Sequence, residues 1–144
     1  MESFDPAGEI AAFSAAHAEA GGIASFLGQV RAGANEFGVV EALELRHYAP
    51  LTLPAMQALA GQAMDRWPLA GLLMLHRCGA MQPGDPIVLV AAAARHRRDA
   101  FAAAEFAMDH LKAESWFWKR ERVGGVWRWV EPREQDFADL QRWQ

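Results

Sequence analysis

The chain has 144 residues, 52% of them hydrophobic and 22% charged, enough apolar material for one domain with a real core. A single cysteine, Cys78, excludes a disulfide scaffold and fits a reducing compartment. A net charge of -4 argues against a general nucleic-acid binder with a basic surface.

The first eight residues carry acids and no base, unlike the start of a signal peptide. The longest strongly apolar stretch, 87–94, is far short of the roughly 20 residues that span a membrane. Cytoplasm is the expected location. Residues 10–20 are Ala-rich and read as a short helix closed by Gly21-Gly22. Residues 23–27 read as a buried strand, weakened at its end by Gly28, and 31–38 as a loop. In 39–47, Val39, Leu43 and Leu45 alternate with Val40, Glu44 and Arg46, the pattern of a half-buried strand.

Pro50 and Pro54 flank the start of a helix whose apolar stripe is Met56, Leu59, Ala60, Ala63, Met64 and Trp67, and which stops before Pro68. Residues 72–77 and 86–93 read as strands, separated by a turn at 82–85. A second helix is expected from His96 to about Lys112, with Phe101, Ala104, Met108 and Leu111 facing inward. Two aromatic-rich strands, 116–122 and 126–131, join through Gly124-Gly125 as a hairpin, and 136–143 reads as a terminal helix. This order predicts an α+β domain over 1–144, with helices on one face of a mixed or antiparallel sheet.

Charge is unevenly placed. Residues 1–30 hold four acids and no base, whereas 95–133 hold nine bases and six acids. Lys112 and Lys119 are the only lysines beside twelve arginines. A chain that uses arginine elsewhere has a use for an amine at these two places, because lysine gives up its proton more readily; both also read as solvent-facing charges. Lys112 closes the second helix at the edge of its packed face, where partial desolvation favours the neutral amine. Arg95-His96-Arg97-Arg98 lies between an apolar strand and a helix start, which suits a phosphate or carboxylate. It reads equally as a basic surface turn balanced by Asp99.

In 116–122, alternation puts Trp116, Trp118 and Arg120 on one face and Phe117, Lys119 and Glu121 on the other. The histidines His17, His47, His76 and His110 read as structural or surface residues, and Cys78 as a small apolar side chain. Nucleotide-binding, serine-hydrolase and zincin motifs are absent. The residues alone therefore give a lysine-containing basic cluster suited to a small anion, with no legible reaction.

Eight segments in order resemble the MoaE family, the large catalytic subunit of molybdopterin synthase. They are 22–31 (Gly-Ile-Ala-Ser-Phe-Leu-Gly-Gln-Val-Arg), 45–48 (Leu-Arg-His-Tyr), 66–69 (Arg-Trp-Pro-Leu), His76-Arg77 with Gly79, Pro83-Gly84-Asp85 followed by His96-Arg97, 106–112, 117–121 (Phe-Trp-Lys-Arg-Glu) and 128–131 (Arg-Trp-Val-Glu). The resemblance implies an α/β hammerhead fold with an added antiparallel β subdomain. It implies conversion of cyclic pyranopterin monophosphate to molybdopterin. The sulfur is carried as a thiocarboxylate on the C-terminal Gly-Gly of a small ubiquitin-like subunit, MoaD.

It also implies a homodimer of this chain, a heterotetramer with the small subunit, and no metal or other cofactor. Lys112 and Lys119 become the catalytic pair, Lys112 handling the acyl group and Lys119 assisting. Arg31, His96 and Arg97 hold the phosphate and pterin, and Gln29, Val30, Arg120 and Glu121 line the substrate site. The chain departs from the family pattern at Gln29 (often Lys), Arg46 (Glu), Ala49-Pro50, Arg98 and the loop 32–38. Arg98 is read as compensating the charge missing at Gln29. A scaffold that binds the partner without turnover and an RNA-binding module are the alternatives from other classes.

Overall fold

The computed structural model describes residues 3–113 and 116–144. In chain order the elements are α1 (Pro6–Ala16), β1 (Gly22–Gln29), β2 (Ala34–Asn35), β3 (Gly38–Val39), β4 (Ala42–His47), α2 (Ala49–Arg66), β5 (Leu69–His76), β6 (Gly79–Met81), β7 (Pro86–Ala94), α3 (Arg97–Ala113), β8 (Phe117–Val123), β9 (Val126–Val130) and α4 (Glu134–Gln141). The strands form a three-stranded sheet β1-β7-β5, a four-stranded sheet β6-β4-β8-β9 and the small β2-β3 hairpin. The α+β class is as expected, and every ladder among the described residues is antiparallel.

The central strand β7 is inaccessible from Leu89 to Ala94. Val88, Val90, Ala92 and Ala94 face the helix layer of α2 and α3, while Ala91 and Ala93 meet Phe13 of α1 on the other side. Helices therefore cover both faces of this sheet, where the sequence reading placed them on one. The reason lies in β7 itself, which has apolar side chains on both faces and needs cover on both. Short side chains on β7 meet Ala100, Ala103, Ala104 and Ala107 of α3, so the helix lies close to the sheet.

Several boundaries differ from expectation. The first helix starts four residues earlier than the Ala-rich run, because Pro6 pre-sets the helical φ at its first turn. In the expected loop 31–38, Asn35 Oδ1 accepts a 2.8 Å bond from the Phe37 N–H and turns the chain into the β2-β3 hairpin. That leaves β4 to start at Ala42. Strand β6 was not anticipated; it is three residues long and exists by pairing with β4. The terminal helix begins at Glu134, where the Asp136 carboxylate accepts the Arg133 backbone N–H at 2.9 Å and the Asp136 N–H bonds the Arg133 carbonyl.

The expected stripe of α2 holds at Leu59 and Ala63, which are buried, and Trp67 packs at its end, while Met64 is exposed. The expected inner face of α3 holds at Ala104, Met108 and Leu111 and fails at Phe101. Phe101 is 62% exposed and Phe106 is fully buried. Phe106 sits edge-on to Trp67 and Trp143 at 5.2 and 5.5 Å, with the Arg66 guanidinium 4.8 Å from its ring centroid. Arg142 and the Trp143 indole N–H both bond Asp109, tying the C-terminal segment to α3.

The β8-β9 hairpin turns at Gly124 and Gly125 with φ of +58° and +77°, the type I′ pattern that glycine adopts without strain. Ile87 and Phe117 pack against the core clusters of both sheets and join them. No helix among the described residues is long and apolar enough to cross a membrane.

The contrast on α3 is testable by denaturant unfolding. Phe106→Ala should cost about 3–5 kcal/mol, whereas Phe101→Ala should stay within about 0.5 kcal/mol of wild type.

Candidate functional site

Strand β8 sorts its side chains as alternation requires. Lys119 pairs in register with Leu45 of β4 and Val130 of β9. Its side chain enters a cavity of about 350 Å3 lined by Ala113, Phe117, Trp118, Lys119, Trp129, Val130, Glu131, Pro132 and Phe137. The cavity thus has the end of α3 on one side and the start of α4 on another. Burial pushes the Lys119 amine below its ordinary pKa, and the positive charge of Lys112 adds to the effect; Glu121 and Asp136 oppose it. Glu121 Oε1 lies 4.0 Å from the Lys119 amine.

Lys112 is exposed in the last turn of α3, where a cation is favoured by the helix carbonyls. Its charge acts on Lys119, His76 and Asp136. The two lysines thus belong to one electrostatic cluster. Asp136 completes it, being 7% exposed at the start of α4. Burial alone would raise its pKa, but the Arg133 backbone N–H at 2.9 Å, the Arg133 guanidinium and Lys112 hold it below the usual carboxylate value.

Glu121 shares the Lys119 face and accepts a 3.0 Å bond from the Asn35 amide. A second cavity of about 310 Å3 opens here between the β2-β3 hairpin and β9, with Asn35, Phe37, Glu121, Arg128 and Glu131 among its walls. It shares Trp129, Val130 and Glu131 with the Lys119 cavity. The chain therefore offers one cationic and one acid-amide lobe side by side.

The other sequence-derived residues fall in three places. Arg120 lies on the opposite face of β8 from Lys119. It makes two 3.1 Å bonds to the Glu44 carboxylate and its guanidinium sits 4.5 Å from the Trp127 ring centroid. Arg120, with Arg46, holds Glu44 below its ordinary pKa against the cost of burial. Gln29, Val30 and Arg31 close β1 at the lysine end of the sheet. Val30 is a core residue packed with Leu43, Leu45 and Phe117, and its backbone is bonded to Asp85 and Gly84; Gln29 and Arg31 are exposed.

His96 and Arg97 are exposed at the start of α3, beside Gly22 at the other end of β1. Seven strand steps, about 23 Å, separate them from Gln29. A single chain therefore does not bring His96 and Arg97 to Arg31 and the lysines. The same distance prevents Arg98 from replacing, within one chain, the charge missing at Gln29.

Among residues the sequence reading did not assign to the site, His76 stands out. Its ring stacks on Phe117 at 3.7 Å with a 14° interplanar angle, and Nδ1 donates to the Arg77 carbonyl at 3.0 Å. Burial lowers its pKa to about 4, and the charges of Lys112 and His47 contribute. Asp136, Phe137 and Asn35 were also missed, since nothing in their spacing marks them. Burial raises the Cys78 thiol pKa, away from thiolate reactivity. No cluster of metal-ligating side chains is present among the described residues.

Comparison with known proteins places this geometry among relatives. A family model described as MoaE protein matches residues 1–114. The molybdopterin synthase catalytic subunit of Ralstonia nicotianae is 46% identical over 140 residues, covering 97% of this chain and 79% of that protein. The molybdopterin biosynthesis MoaE protein from Burkholderia ambifaria superposes with a TM-score of 0.81 at 43% identity, over 99% of this chain and 93% of that one. A complex of subunits 1 and 2 of molybdopterin-converting factor from Helicobacter pylori matches in fold alone, with a TM-score of 0.77 at 18% identity, over 92% of this chain and 88% of that one.

The stacked imidazole predicts an acid limit to stability. Above pH 6.5 His76 is neutral in both folded and unfolded chains and contributes no pH dependence. Below it, the unfolded chain takes up a proton that the folded one refuses until about pH 4. Stability should therefore fall between pH 6.5 and 4, by up to about 3 kcal/mol from this group. Urea unfolding at several pH values reads it, and His76→Phe, which keeps a ring over Phe117, should flatten that stretch of the profile.

Proposed function

The chain belongs to the MoaE family, and on that premise we propose that it is the catalytic subunit of a molybdopterin synthase. It converts cyclic pyranopterin monophosphate to molybdopterin, with both dithiolene sulfurs delivered by the thiocarboxylated C-terminus of a small ubiquitin-like subunit. The observation that carries this reading is the Lys119 cavity, whose partly buried amine has its pKa lowered by burial and by the charge of Lys112.

The cavity walls suit such a donor. Phe117, Trp118, Trp129, Pro132 and Phe137 make an apolar passage. A Gly-Gly tail has no side chains to obstruct it, and its terminal thiocarboxylate carries the negative charge that the lysines attract. Sulfur transfer joins the donor sulfur to the pterin side chain and breaks its bond to the acyl carbon, which takes up water and leaves as the carboxylate of the small subunit; negative charge develops on the acyl oxygen as the water adds. Fixed cations nearby oppose that charge without having to reorganise.

Burial, with the positive charge of Lys112 adding to it, lowers the Lys119 pKa, so this amine gives up its proton more readily than an exposed lysine. We assign the acyl group and its proton transfers to Lys112, on the mobile end of its four-carbon stem, and the anchoring of substrate charge to Lys119. Glu121 and the acid-amide lobe face the N–H groups of the pterin.

The separation of His96 and Arg97 from Arg31 supports a homodimer. If these residues serve one phosphate, a second copy must supply His96 and Arg97 to the lysine end of the first. With one small subunit per chain the assembly is a heterotetramer. We read 1–144 as one functional unit working in the reducing cytoplasm, with no metal or further cofactor. The scaffold reading would need the lysine pair to be idle.

Reconstitution tests the proposal. Purified chain, thiocarboxylated small subunit and cyclic pyranopterin monophosphate should give a product with two added sulfurs, identified by mass after oxidation to its fluorescent pterin. Lys112→Ala and Lys119→Ala should each lower the rate at least about a hundredfold. A stable complex without product would leave a scaffold. Light scattering of the chain alone should give about twice 15.9 kDa, and a monomer at micromolar concentration would contradict the dimer.

A further inference from the structure

Two side chains of the β2-β3 hairpin meet the sheet face that carries Lys119 and Glu121. The Asn35 amide donates to Glu121 Oε2 at 3.0 Å, and the Arg128 guanidinium lies 4.1 Å from the Phe37 ring centroid. Glu121 and Arg128 are register partners across β8 and β9, so the hairpin is tied to one cross-strand pair. All four residues line the same cavity.

The two ends of the Asn35 amide do different work. Oδ1 accepts the Phe37 N–H at 2.8 Å and shapes the turn, which leaves Nδ2 as the donor toward Glu121. The Glu121 side chain is 17% exposed, and its other oxygen, Oε1, lies 4.0 Å from the Lys119 amine.

We propose that Asn35 is a positioning residue for Glu121: its amide holds one carboxylate oxygen, so that the other is presented toward Lys119 and the substrate.

The turn by itself needs only the acceptor, and aspartate serves there as well as asparagine. Aspartate, however, has no donor and would set a second carboxylate against Glu121. The pairing of β8 with β4 on one side and β9 on the other fixes the Glu121 backbone. It does not fix the carboxylate, whose terminal torsion is soft. The Asn35 bond removes that freedom. The proposal rests on Glu121 facing the N–H groups of the pterin, as described above: a carboxylate already held meets those groups with less entropy to lose.

Asn35 is the only asparagine in the chain, so selective 15N labelling gives a single side-chain NH2 signal. It is measured in the full chain. Glu121→Ala should move that signal and speed exchange of its bonded proton with water at least about threefold. Glu131→Ala removes another acid of the same cavity and should leave the signal in place. In the reconstituted reaction, Asn35→Asp should raise KM for cyclic pyranopterin monophosphate about fivefold or more, with kcat changed less than about twofold. A residue that only makes the turn predicts the opposite, because Asn35→Asp keeps the acceptor for the Phe37 N–H and would behave as wild type.

An Asn35 signal indifferent to Glu121→Ala would overturn the proposal, and so would an Asn35→Asp chain with unchanged KM. If Asn35→Asp does not fold, Asn35→Ala removes the donor without adding charge, and the same rise in KM is expected. The kinetic arm rests on the sulfur-transfer reading, whereas the labelled amide does not. A wild-type chain that yields no product but whose Asn35 signal follows Glu121 would sink that reading and keep Asn35 as the group that holds this carboxylate.

Discussion

The complete burial of β7 on both faces is the constraint from which the rest of the molecule follows. A strand with no polar face must be covered twice, and α1 on one side and α2 with α3 on the other do this. The residues at the contact are mostly alanine, so α3 lies close against the sheet along its length. Its far end is thereby fixed, and that end carries Lys112 and the Ala113 wall of the cavity. A bulkier seam would lift the helix and with it the lysine. Position in the site is thus set by packing that reaches back about three helical turns, to Ala100.

The second sheet supplies the other half. The Phe117 ring packs in both cores and stacks on His76, so the start of β8 is pinned to the end of β5. Lys119 follows two residues later on the same face. It is this short distance along a rigid strand that holds the amine in partly desolvated surroundings. The two lysines, the buried Asp136 and the neutral His76 form one electrostatic unit built from the ends of α3 and β5 and the starts of α4 and β8.

Much of this was legible in the residues. The unbroken apolar run of β7 and the aromatic alternation around Gly124-Gly125 gave the central strand and the hairpin. The scarcity of lysine drew attention to Lys112 and to Lys119, which lines a cavity. Elements held by tertiary pairing alone were not legible: β6 and the β2-β3 hairpin have too few residues to show a period. On α3 the expected stripe was right at Ala104, Met108 and Leu111 but took in Phe101 and left out Phe106, because alanine carries little weight in an amphipathic pattern and the large Phe101 drew the stripe to its side. Within the site, the ordered motifs listed residues along the chain without their separation in space. His96 and Arg97 stand a strand's length from Gln29, and Arg120 faces away from Lys119, although both sets belong to the same linear series. Asp136 had no signal, since burial of one acid in a polar helix leaves no trace in composition.

Strand β8 also divides two chemistries. On its outer face Arg120 is clamped by Glu44 and stacked beside Trp127, and a guanidinium keeps its proton across the whole range in which proteins are folded. Glu44, already held below its ordinary value, stays ionised well into acid. On its inner face sit an amine that gives up its proton more easily than usual and, through Phe117, an imidazole that stays neutral down to about pH 4. One strand thus acts as an insulator between a face that is indifferent to protons and one that responds to them. The charge of the inner face is thus open to pH while the Arg120–Glu44 contact behind it stays constant.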